Sequence, residues 1–323
     1  MKAIVQDRYG SADVLEFRDI EEPLVGENDV LVRVDAAGCG PDVWHLMTGL
    51  PYFVRLMPGF YKMRAGVRGR DLAGTVEAVG ASVTGFRPGD EVMGIGEGSF
   101  AELVIARPDR LVPKPAGLSF EDAAAAPISG LTALQAIRDV GKVQPGQRVL
   151  VIGAGGGVGT LTVQVAKAFG AQVTGVGSTS KLDLIRQVGA DEVIDYTRED
   201  FTEGTRRWDV IVDTAGRRPL RVLRRALAPK GTLAIVGGEG GGRWTGGFLG
   251  TMLRAPLLSL FSGQKFRPVV SKENLEDLQS LAELIADGKV TPVVGKTYPL
   301  IEAPDAIRYL QEGHAAGKVV VTV

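Results

Sequence analysis

Hydrophobic and polar residues alternate with a period of two in short runs over the first third of the chain. Runs of this kind, separated by glycine and proline turns, are typical of strands in a compact antiparallel barrel. The pattern predicts strands in these segments: AIVQ (3–6), DVLVRVDAAG (29–38), LAGTVEAVG (72–80), GDEVMG (89–94), FAELVIA (100–106) and RLVPKP (110–115).

The pattern changes near residue 119, where strand-length apolar runs begin to alternate with helix-length segments. Ser119 followed three residues later by Asp122 is typical of a helix N-terminus. Alternating strands and helices predict right-handed βαβ units and a parallel sheet. Strands are predicted at 148–153, 172–177, 192–195, 210–213 and 232–236, and helices at 158–169 and 181–188.

After about residue 290 the chain returns to strand, turn and short helix, and it ends in the strand-like KVVVTV. A length of 323 residues is about twice that of a typical domain. We therefore expect an α/β protein of two domains. The mostly antiparallel barrel comprises residues 1–118 and is completed by 290–323, and the doubly wound parallel sheet comprises 119–289.

A glycine-rich turn stands between a strand-like and a helix-like run in VLVIGAGGGVGTLTVQVAKAFG (149–170). Ala154, Gly156 and Gly159 match the G-x-G-x-x-G/A spacing with alanine in the first place. Glycines at these positions let the backbone approach a pyrophosphate, and the amides at the helix N-terminus attract its charge. The alternative is a tight turn without a ligand, but the strand before it and the helix after it favour a dinucleotide site.

The second strand, QVTGVG (172–177), ends without the acidic residue that binds the ribose hydroxyls in most NAD sites. Ser178, Thr179, Ser180 and Lys181 follow it instead. Hydroxyls and an ammonium group bind a 2′-phosphate that a carboxylate would repel. We therefore predict NADP(H) as the cofactor, bound by Ser178 and Lys181. The alternative is that Ser178 caps the next helix and Lys181 is a solvated surface residue.

The charge and the cysteine content indicate which kinds of partner to expect and which cellular compartment. The 37 basic and 38 acidic residues leave a net charge of -1, which gives no global attraction to nucleic acid or to membranes. The apolar stretch 248–261 is interrupted by Arg254 and Pro256 and is shorter than the roughly 20 residues of a membrane span. Cys39 is the single cysteine, and the N-terminus begins like a strand rather than a signal peptide, so we expect a cytoplasmic protein.

The supply of metal ligands is small. The chain has one cysteine, Cys39, and two histidines, His45 and His314. A structural zinc site of this size class takes four cysteines, and a catalytic zinc takes three Cys, His or carboxylate ligands. We therefore expect chemistry without a metal.

Five segments together make the chain recognisable. It resembles the zinc-independent branch of the medium-chain dehydrogenase/reductase superfamily, the quinone oxidoreductase-like enzymes, over essentially its whole length. The segments are GRDLAGTVEAVGASVTGFRPGDEV (69–92), LSFEDAAAAPISGLTAL (118–134), the glycine turn, GADEVIDYTREDF (189–201) and GHAAGKVVVTV (313–323).

The resemblance implies a GroES-like substrate domain joined to a Rossmann domain, with NADP(H) in the cleft between them and a homodimer as the assembly. It implies that Gly156, Gly157 and Val158 approach the pyrophosphate. Tyr196 joins Ser178 and Lys181 around the 2′-phosphate. The residues implied near the nicotinamide end or the cofactor cleft are Thr132, Ala215, Gly237, Gly238 and Lys318.

The chain departs from the superfamily pattern at two places. Zinc-dependent members have G-H-E-x-x-G where this chain has GRDLAG (69–74), so the ligand-bearing histidine is absent. Many zinc-free relatives have Asn-Pro where this chain has Gly40 and Pro41, which removes an amide expected near the nicotinamide.

A site without a metal favours hydride acceptors that spread the arriving charge by conjugation, such as quinones and α,β-unsaturated carbonyl compounds. The long connection 42–71 predicts a functional loop. Within it we choose Tyr52 and Arg70 as substrate contacts, although local packing and a solvated surface are the alternatives for its aromatic and basic residues. His45 is a candidate proton donor, with a structural histidine as the alternative.

The sequence leaves two other functions open. One is an NADP-dependent alcohol or aldehyde dehydrogenase on the same fold, which requires a group that polarises the substrate oxygen. The other is an NADPH-binding sensor or interaction protein with little turnover, which the missing amide at Gly40 keeps open.

Overall fold

The computed structural model describes residues 1–52, 55, 66–237, 255, 259 and 262–323. Sixteen strands are found in this part of the chain: β1 Lys2–Gln6, β2 Glu16–Asp19, β3 Val30–Cys39, β4 Gly66–Val67, β5 Asp71–Val79, β6 Glu91–Ile95, β7 Leu103–Ala106, β8 Leu111–Pro113, β9 Arg148–Ile152, β10 Gln172–Gly177, β11 Glu192–Asp195, β12 Trp208–Asp213, β13 Leu227–Ile235, β14 Lys265–Pro268, β15 Val294–Pro299 and β16 Lys318–Thr322.

The described α-helices are α1 Pro41–Thr48, α2 Phe120–Ala125, α3 Pro127–Gln135, α4 Gly157–Ala168, α5 Leu182–Gln187, α6 Leu220–Ala226, α7 Leu275–Ala286 and α8 Ala303–Gln311. A π-helical turn, Ala136–Gly141, follows α3 directly. None of the described helices has the length and hydrophobicity needed to cross a membrane.

The chain folds into two compact units. The first contains Met1–Leu131, Glu273–Gly288 and Pro292–Val323. The second contains Thr132–Lys272 and Lys289–Thr291.

The first unit is built on a seven-stranded sheet in the order β15-β16-β3-β5-β6-β8, with β7 also pairing with β3. All its pairs are antiparallel except that of β15 with β16. A smaller sheet has the order β2-β1-β4. Fully buried side chains such as Val32, Leu72 and Phe100 form the core. The predicted antiparallel barrel architecture is confirmed.

The second unit is built on six parallel strands in the order β11-β10-β9-β12-β13-β14. Counted from β9, this is the order 3-2-1-4-5-6 of a doubly wound sheet. The buried side chains of Leu150, Ile211 and Leu233, one each from β9, β12 and β13, are part of its core. The strand order reverses between β9 and β12, so the carboxyl ends of these two strands form the switch point where such sheets bind ligands. The predicted parallel sheet is confirmed.

Local signals placed several elements correctly. Ser119 Oγ accepts the Asp122 N–H at 3.0 Å, as its spacing predicted. The predicted strand 232–236 begins earlier, at Leu227, and its pairing with β12 shifts register between Trp208 and Val210. Helix α1 lies within the connection predicted as a loop, and β14 and α7 lie where the sequence patterns above predict no element.

Candidate cofactor site

The glycine turn occupies the carboxyl end of β9. Gly153 has a φ of +80°, a left-handed conformation that favours glycine. A Cβ on Gly159 would lie 2.0 Å from the carbonyl oxygen of Gly153 and 2.8 Å from Ala154 Cα. Glycine at position 159 therefore allows the first turn of α4 to pack directly on the end of the strand.

Gly156 is a glycine for a different reason. Its φ of -93° suits any residue, and the nearest described atom to a Cβ placed there is the Gly153 oxygen at 3.5 Å. The fold itself therefore does not need glycine at this position. A side chain would occupy the space in front of the Gly157 and Val158 amides, which lie in the first turn of α4 and have no intrahelical acceptor. This space suits an anion such as a diphosphate.

The ends of β12 and β13 lie beside the turn. Thr214 Oγ1 donates to the carbonyl oxygen of Ile152 at 2.8 Å. A Cβ on Gly237 would lie 2.4 Å from the carbonyl oxygen of Thr214. Ala215 and Gly237 are thus held at the switch point, as expected of residues that flank a cofactor there. Gly238 lies outside the described residues.

A buried carboxylate shapes the loop after β12. Asp213 Oδ1 accepts the N–H groups of Ala215 at 3.1 Å and Gly216 at 2.9 Å. Burial raises the pKa of Asp213, and the two hydrogen bonds oppose that change. The loop conformation at Ala215 is therefore fixed by the last side chain of β12.

Lys181 lies against the glycine turn. A Cβ on Gly155 would be 2.9 Å from both Cβ and Cδ of Lys181, so the lysine stem covers this glycine. Burial lowers the pKa of Lys181, and the positive charge of Arg217 lowers it further. Ser178 Oγ lies 3.3 Å from Ser180 Oγ, and within the described residues it makes no capping bond to the turn that follows.

Two charged residues at this edge of the sheet were missed by the sequence analysis. Arg217, exposed in the loop after β12, adds a second positive charge near Lys181. Asp195, the last residue of β11, accepts the hydroxyl hydrogen of Thr179 at 2.5 Å and that of Thr197 at 2.7 Å. These two hydrogen bonds lower the pKa of Asp195. A carboxylate therefore lies beside Thr179, although β10 itself ends without one.

Asp195 ends β11 and Arg217 follows β12, and only the sheet order shows which strands lie beside these two. The position of Arg217 just after a predicted strand was a usable signal. Tyr196, next along the chain, is 51% exposed, and its N–H donates to the carbonyl oxygen of Gly177 at 3.1 Å. Ser178, Lys181 and Tyr196 thus all lie at the carboxyl ends of β10 and β11.

Lys318 is buried within the first unit. Its Nζ donates to Asp71 Oδ2 at 2.7 Å and to Ser129 Oγ at 2.9 Å. Asp71 Oδ1 accepts the Ile128 N–H at 2.7 Å. Burial raises the pKa of Asp71. Burial alone would lower the pKa of Lys318, but the charges of Asp71 and Asp42 raise it on balance.

The glycine that replaces the expected asparagine lies beside this ion pair. A Cβ on Gly40 would be 3.3 Å from Lys318 Nζ and 2.5 Å from Asp42 Oδ1. The Asp42 carboxylate therefore fills space that a side chain at position 40 would need.

Tyr52 and Arg70 each contact a charged side chain. Arg70 Nη2 donates to both carboxylate oxygens of Glu273, at 2.7 and 2.8 Å, and Arg110 pairs with the same carboxylate. The ring of Tyr52 stacks on the Arg55 guanidinium, whose carbon lies 4.7 Å from the ring centroid. Arg70 and Arg110 thus share the single carboxylate of Glu273.

Three other residues are His45, Cys39 and Thr132. His45 Nδ1 lies 2.7 Å from the carbonyl oxygen of Leu50 at the end of α1. Cys39 is buried, and burial raises the pKa of its thiol to about 12. Thr132 is a buried residue of α3. Among the described residues, no group of three or more His, Cys, Asp or Glu side chains is arranged to hold a metal ion.

A doubly wound parallel sheet with a glycine turn at its switch point defines a dinucleotide-binding protein of the Rossmann class. Family models agree with both halves of the chain. Residues 26–116 match the alcohol dehydrogenase GroES-like domain, and residues 188–321 match the model described as zinc-binding dehydrogenase.

Relatives span the whole chain. The mitochondrial NAD(P)H oxidoreductase RTN4IP1 of Mus musculus is 34% identical over 100% of this chain and 89% of its own length. The 2-methylene-furan-3-one reductase of Solanum lycopersicum is also 34% identical, over 99% of this chain and 79% of its own.

Solved structures give the same result. The quinone oxidoreductase of Escherichia coli complexed with NADPH has a TM-score of 0.85 at 26% identity, covering 100% of both chains. An NAD-dependent alcohol dehydrogenase has a TM-score of 0.86 at 32% identity, also covering 100% of both. The chain belongs to the medium-chain dehydrogenase/reductase superfamily, in its quinone oxidoreductase-like branch.

Proposed function

We propose that this chain is an NADPH-dependent oxidoreductase that reduces quinones or α,β-unsaturated carbonyl compounds without a metal. The observation that carries the proposal is the open space at Gly156, in front of the α4 amides. The half-buried Lys181 covers the neighbouring Gly155. Relatives named as a quinone oxidoreductase and as a furanone reductase support the substrate class.

In this proposal the chain holds the cofactor by its backbone and by a small group of cations. The amides of Gly157 and Val158 bind the diphosphate, and the missing side chain of Gly156 gives it room. Ser178, Lys181 and Tyr196 surround the 2′-phosphate. The bound reduced nicotinamide supplies a hydride, and the protein positions it and excludes water. The residues proposed to flank the nicotinamide half are Thr132, Ala215, Gly237 and Gly238. Lys318, which the resemblance implies near the cofactor cleft, is bound to Asp71 and Ser129 within the first unit.

Arg217 extends this proposal. Its charge acts on Lys181, so two cations from the ends of different strands face the same region. Bringing like charges together is unfavourable unless an anion lies between them. We propose that Arg217 contributes to phosphate binding together with Lys181.

Asp195 is the observation against NADPH, because a carboxylate near a 2′-phosphate repels it. Its oxygens are already occupied, however, by the hydroxyls of Thr179 and Thr197 and by the Thr197 N–H at 3.0 Å. One hydrogen-bonded carboxylate therefore stands against the two cations Lys181 and Arg217. The balance favours a phosphate at this site.

The cofactor test is a fluorescence titration of NADPH and NADH on the wild type and on Lys181→Glu. We expect the substitution to weaken NADPH binding by roughly tenfold or more and NADH binding much less, because the added carboxylate repels only the 2′-phosphate. Arg225→Glu is the control, since Arg225 is an exposed cation of α6 and the change in charge is the same. An unaltered NADPH preference in Lys181→Glu would overturn the assignment.

The absence of a metal in the proposed reaction is supported by Arg70. It stands where the zinc-dependent branch has its ligand histidine, and its guanidinium, which cannot act as a metal ligand, donates to Glu273. Without an oxygen-polarising metal, a conjugated acceptor is favoured because it spreads the negative charge itself.

The second candidate is an alcohol dehydrogenase, favoured by the NAD-dependent alcohol dehydrogenase among the similar structures. A panel of quinones and enones with NADPH is to be compared with primary alcohols and NAD+ or NADP+. Oxidation of NADPH by the panel supports a reductase, and alcohol-dependent reduction of NAD+ supports the alternative. Tight NADPH binding with no turnover in either screen supports a sensor or interaction protein.

The substrate contacts remain proposals of the same kind. Tyr52 offers an aromatic face, while Arg70 contacts a substrate anion only by sharing or leaving Glu273. We expect Tyr52→Ala to raise KM for a flat quinone more than Arg70→Gln does.

We further propose a homodimer in the cytoplasm, although the mouse relative is mitochondrial by name. Light scattering and cell fractionation test these two points.

A further inference from the structure

A cavity of 160 Å³ lies at the amino ends of the parallel strands, and the glycine turn lies at their carboxyl ends. It is lined by residues at the amino ends of the strands: Asp209 at the start of β12, Thr232 in β13, and Lys265 and Arg267 in β14. Lys142 lines it as well, from the turn after the π-helix. The cofactor site described above uses none of these residues.

The cavity has a strong excess of positive charge. Lys142, Lys230, Lys265 and Arg267 face it, against the single carboxylate of Asp209. Within the described parts of the chain, none of these four cations forms an ion pair. Asp209 Oδ2 accepts the backbone N–H of Arg148 at 2.9 Å. This concentration is local, because the whole chain has a net charge of only -1.

Two of these cations lie on one face of the sheet. In the parallel pair of β13 and β14, Thr232 lies opposite Lys265 and Ala234 lies opposite Arg267. Residues two apart on a strand share a face, so Lys265 and Arg267 project on the same side of the sheet as the Thr232 hydroxyl. The like charges of Lys265 and Arg267 repel each other. A bound anion removes this cost.

Lys142 adds an independent sign of constraint. Its φ of 51° makes it the one non-glycine residue with a positive φ among the residues that the structure describes. This left-handed conformation is unfavourable for a side chain with a Cβ, and glycine adopts it freely. It directly follows a π-helical turn, a feature that often occurs at functional sites. Strain kept at a lysine rather than removed by glycine points to a role for the ammonium group.

We propose that this cavity binds a small anion carrying two or more negative charges, of the class of free phosphorylated metabolites. Cations from β13, from β14 and from the turn at Lys142 approach it from three directions, and the Thr232 hydroxyl donates a hydrogen bond. The proposal is independent of the cofactor assignment because the two sites lie at opposite ends of the same strands.

The test is calorimetric titration with inorganic pyrophosphate, performed on protein saturated with NADPH so that the glycine turn cannot bind the probe. We expect one pyrophosphate per chain. Replacing both strand cations in Lys265→Gln/Arg267→Gln should weaken its binding by roughly tenfold or more. The charge-matched control Arg186→Gln/Arg206→Gln removes two exposed cations near β11 and should leave binding unchanged. The NADPH affinity should be the same in all three proteins.

A second variant separates binding from folding. Lys142→Gly relieves the left-handed strain, so we expect its thermal midpoint to rise while its pyrophosphate affinity falls. Failure of the wild type to bind pyrophosphate, or an equal loss in the control, overturns the proposal. Binding of a polyanion such as heparin without binding of pyrophosphate also overturns it and indicates an acidic macromolecule instead.

Discussion

Two glycines of the same turn should respond to alanine substitution in different ways, one through cofactor binding and the other through stability. The Cβ of a Gly156→Ala variant has the Gly153 oxygen, at 3.5 Å, as its nearest described neighbour, and φ at this position suits alanine. We expect the free energy of unfolding to change by less than about 1 kcal/mol. The methyl group enters the space in front of the α4 amides, so the Kd for NADPH should rise by roughly tenfold or more, about 1.4 kcal/mol.

Gly159→Ala is the matched comparison. Its Cβ would lie 2.0 Å from the Gly153 oxygen, and that atom belongs to the backbone and cannot rotate away. Separating the helix from the strand end should cost about 1–3 kcal/mol of stability, as overpacking does in a well-packed core. Any loss of NADPH binding in this variant is then accompanied by lower stability.

Urea unfolding and fluorescence titration on the same preparations distinguish the two effects. We expect Gly156→Ala to have normal stability and weak NADPH binding. We expect Gly159→Ala to have reduced stability. A Gly156→Ala protein that binds NADPH like the wild type would show that the diphosphate does not occupy this space. A Gly159→Ala protein as stable as the wild type would refute the packing argument.

The ion pair of Asp71 and Lys318 and the thiol of Cys39 give further predictions. The two charged side chains are only 1% and 5% exposed, so Lys318→Met should cost about 3–5 kcal/mol, and Asp71→Leu/Lys318→Met should recover much of it. In Lys318→Met the folded state raises the pKa of Asp71 above its unfolded value, so stability falls as pH rises through that pKa. The free energy of unfolding in urea should therefore fall further below that of the wild type at pH 8 than at pH 5. An equal decrease at both pH values would contradict a raised pKa of the buried Asp71 in this variant. The pKa of about 12 that burial gives the Cys39 thiol predicts no iodoacetamide labelling of the folded protein at pH 8 and full labelling in urea; rapid labelling without urea would contradict it.

Much of the second unit could be predicted because its signals are local. The spacing of Gly156 and Gly159, the strand before them and the helix after them lie within a short stretch of chain, and the structure has the predicted strand, turn and helix there. Asp195 could not be found in this way. Its approach to Thr179 depends on β10 and β11 pairing in parallel, with Gly177 opposite Asp195, and this register is a property of the sheet.

Arg70 shows the same limit for a candidate contact. The sequence places a cation in a long connection, and a free guanidinium in such a position would suit a developing negative charge. Its partner Glu273 lies 203 residues further along the chain, so only the folded first unit reveals that this guanidinium is already bound to a carboxylate. Composition alone gives no means of pairing one arginine with one of many carboxylates.

The sequence by itself determined the two kinds of sheet, the position of the glycine turn and the membership of the superfamily, because hydrophobic periodicity and glycine spacing act within a few residues. Only the tertiary structure decided which charges meet. Asp71 and Lys318 are 247 residues apart, and Lys142, Thr232 and Lys265 line one cavity from three separate segments. Such contacts depend on strand order and register, and these are fixed by the packing of the whole unit.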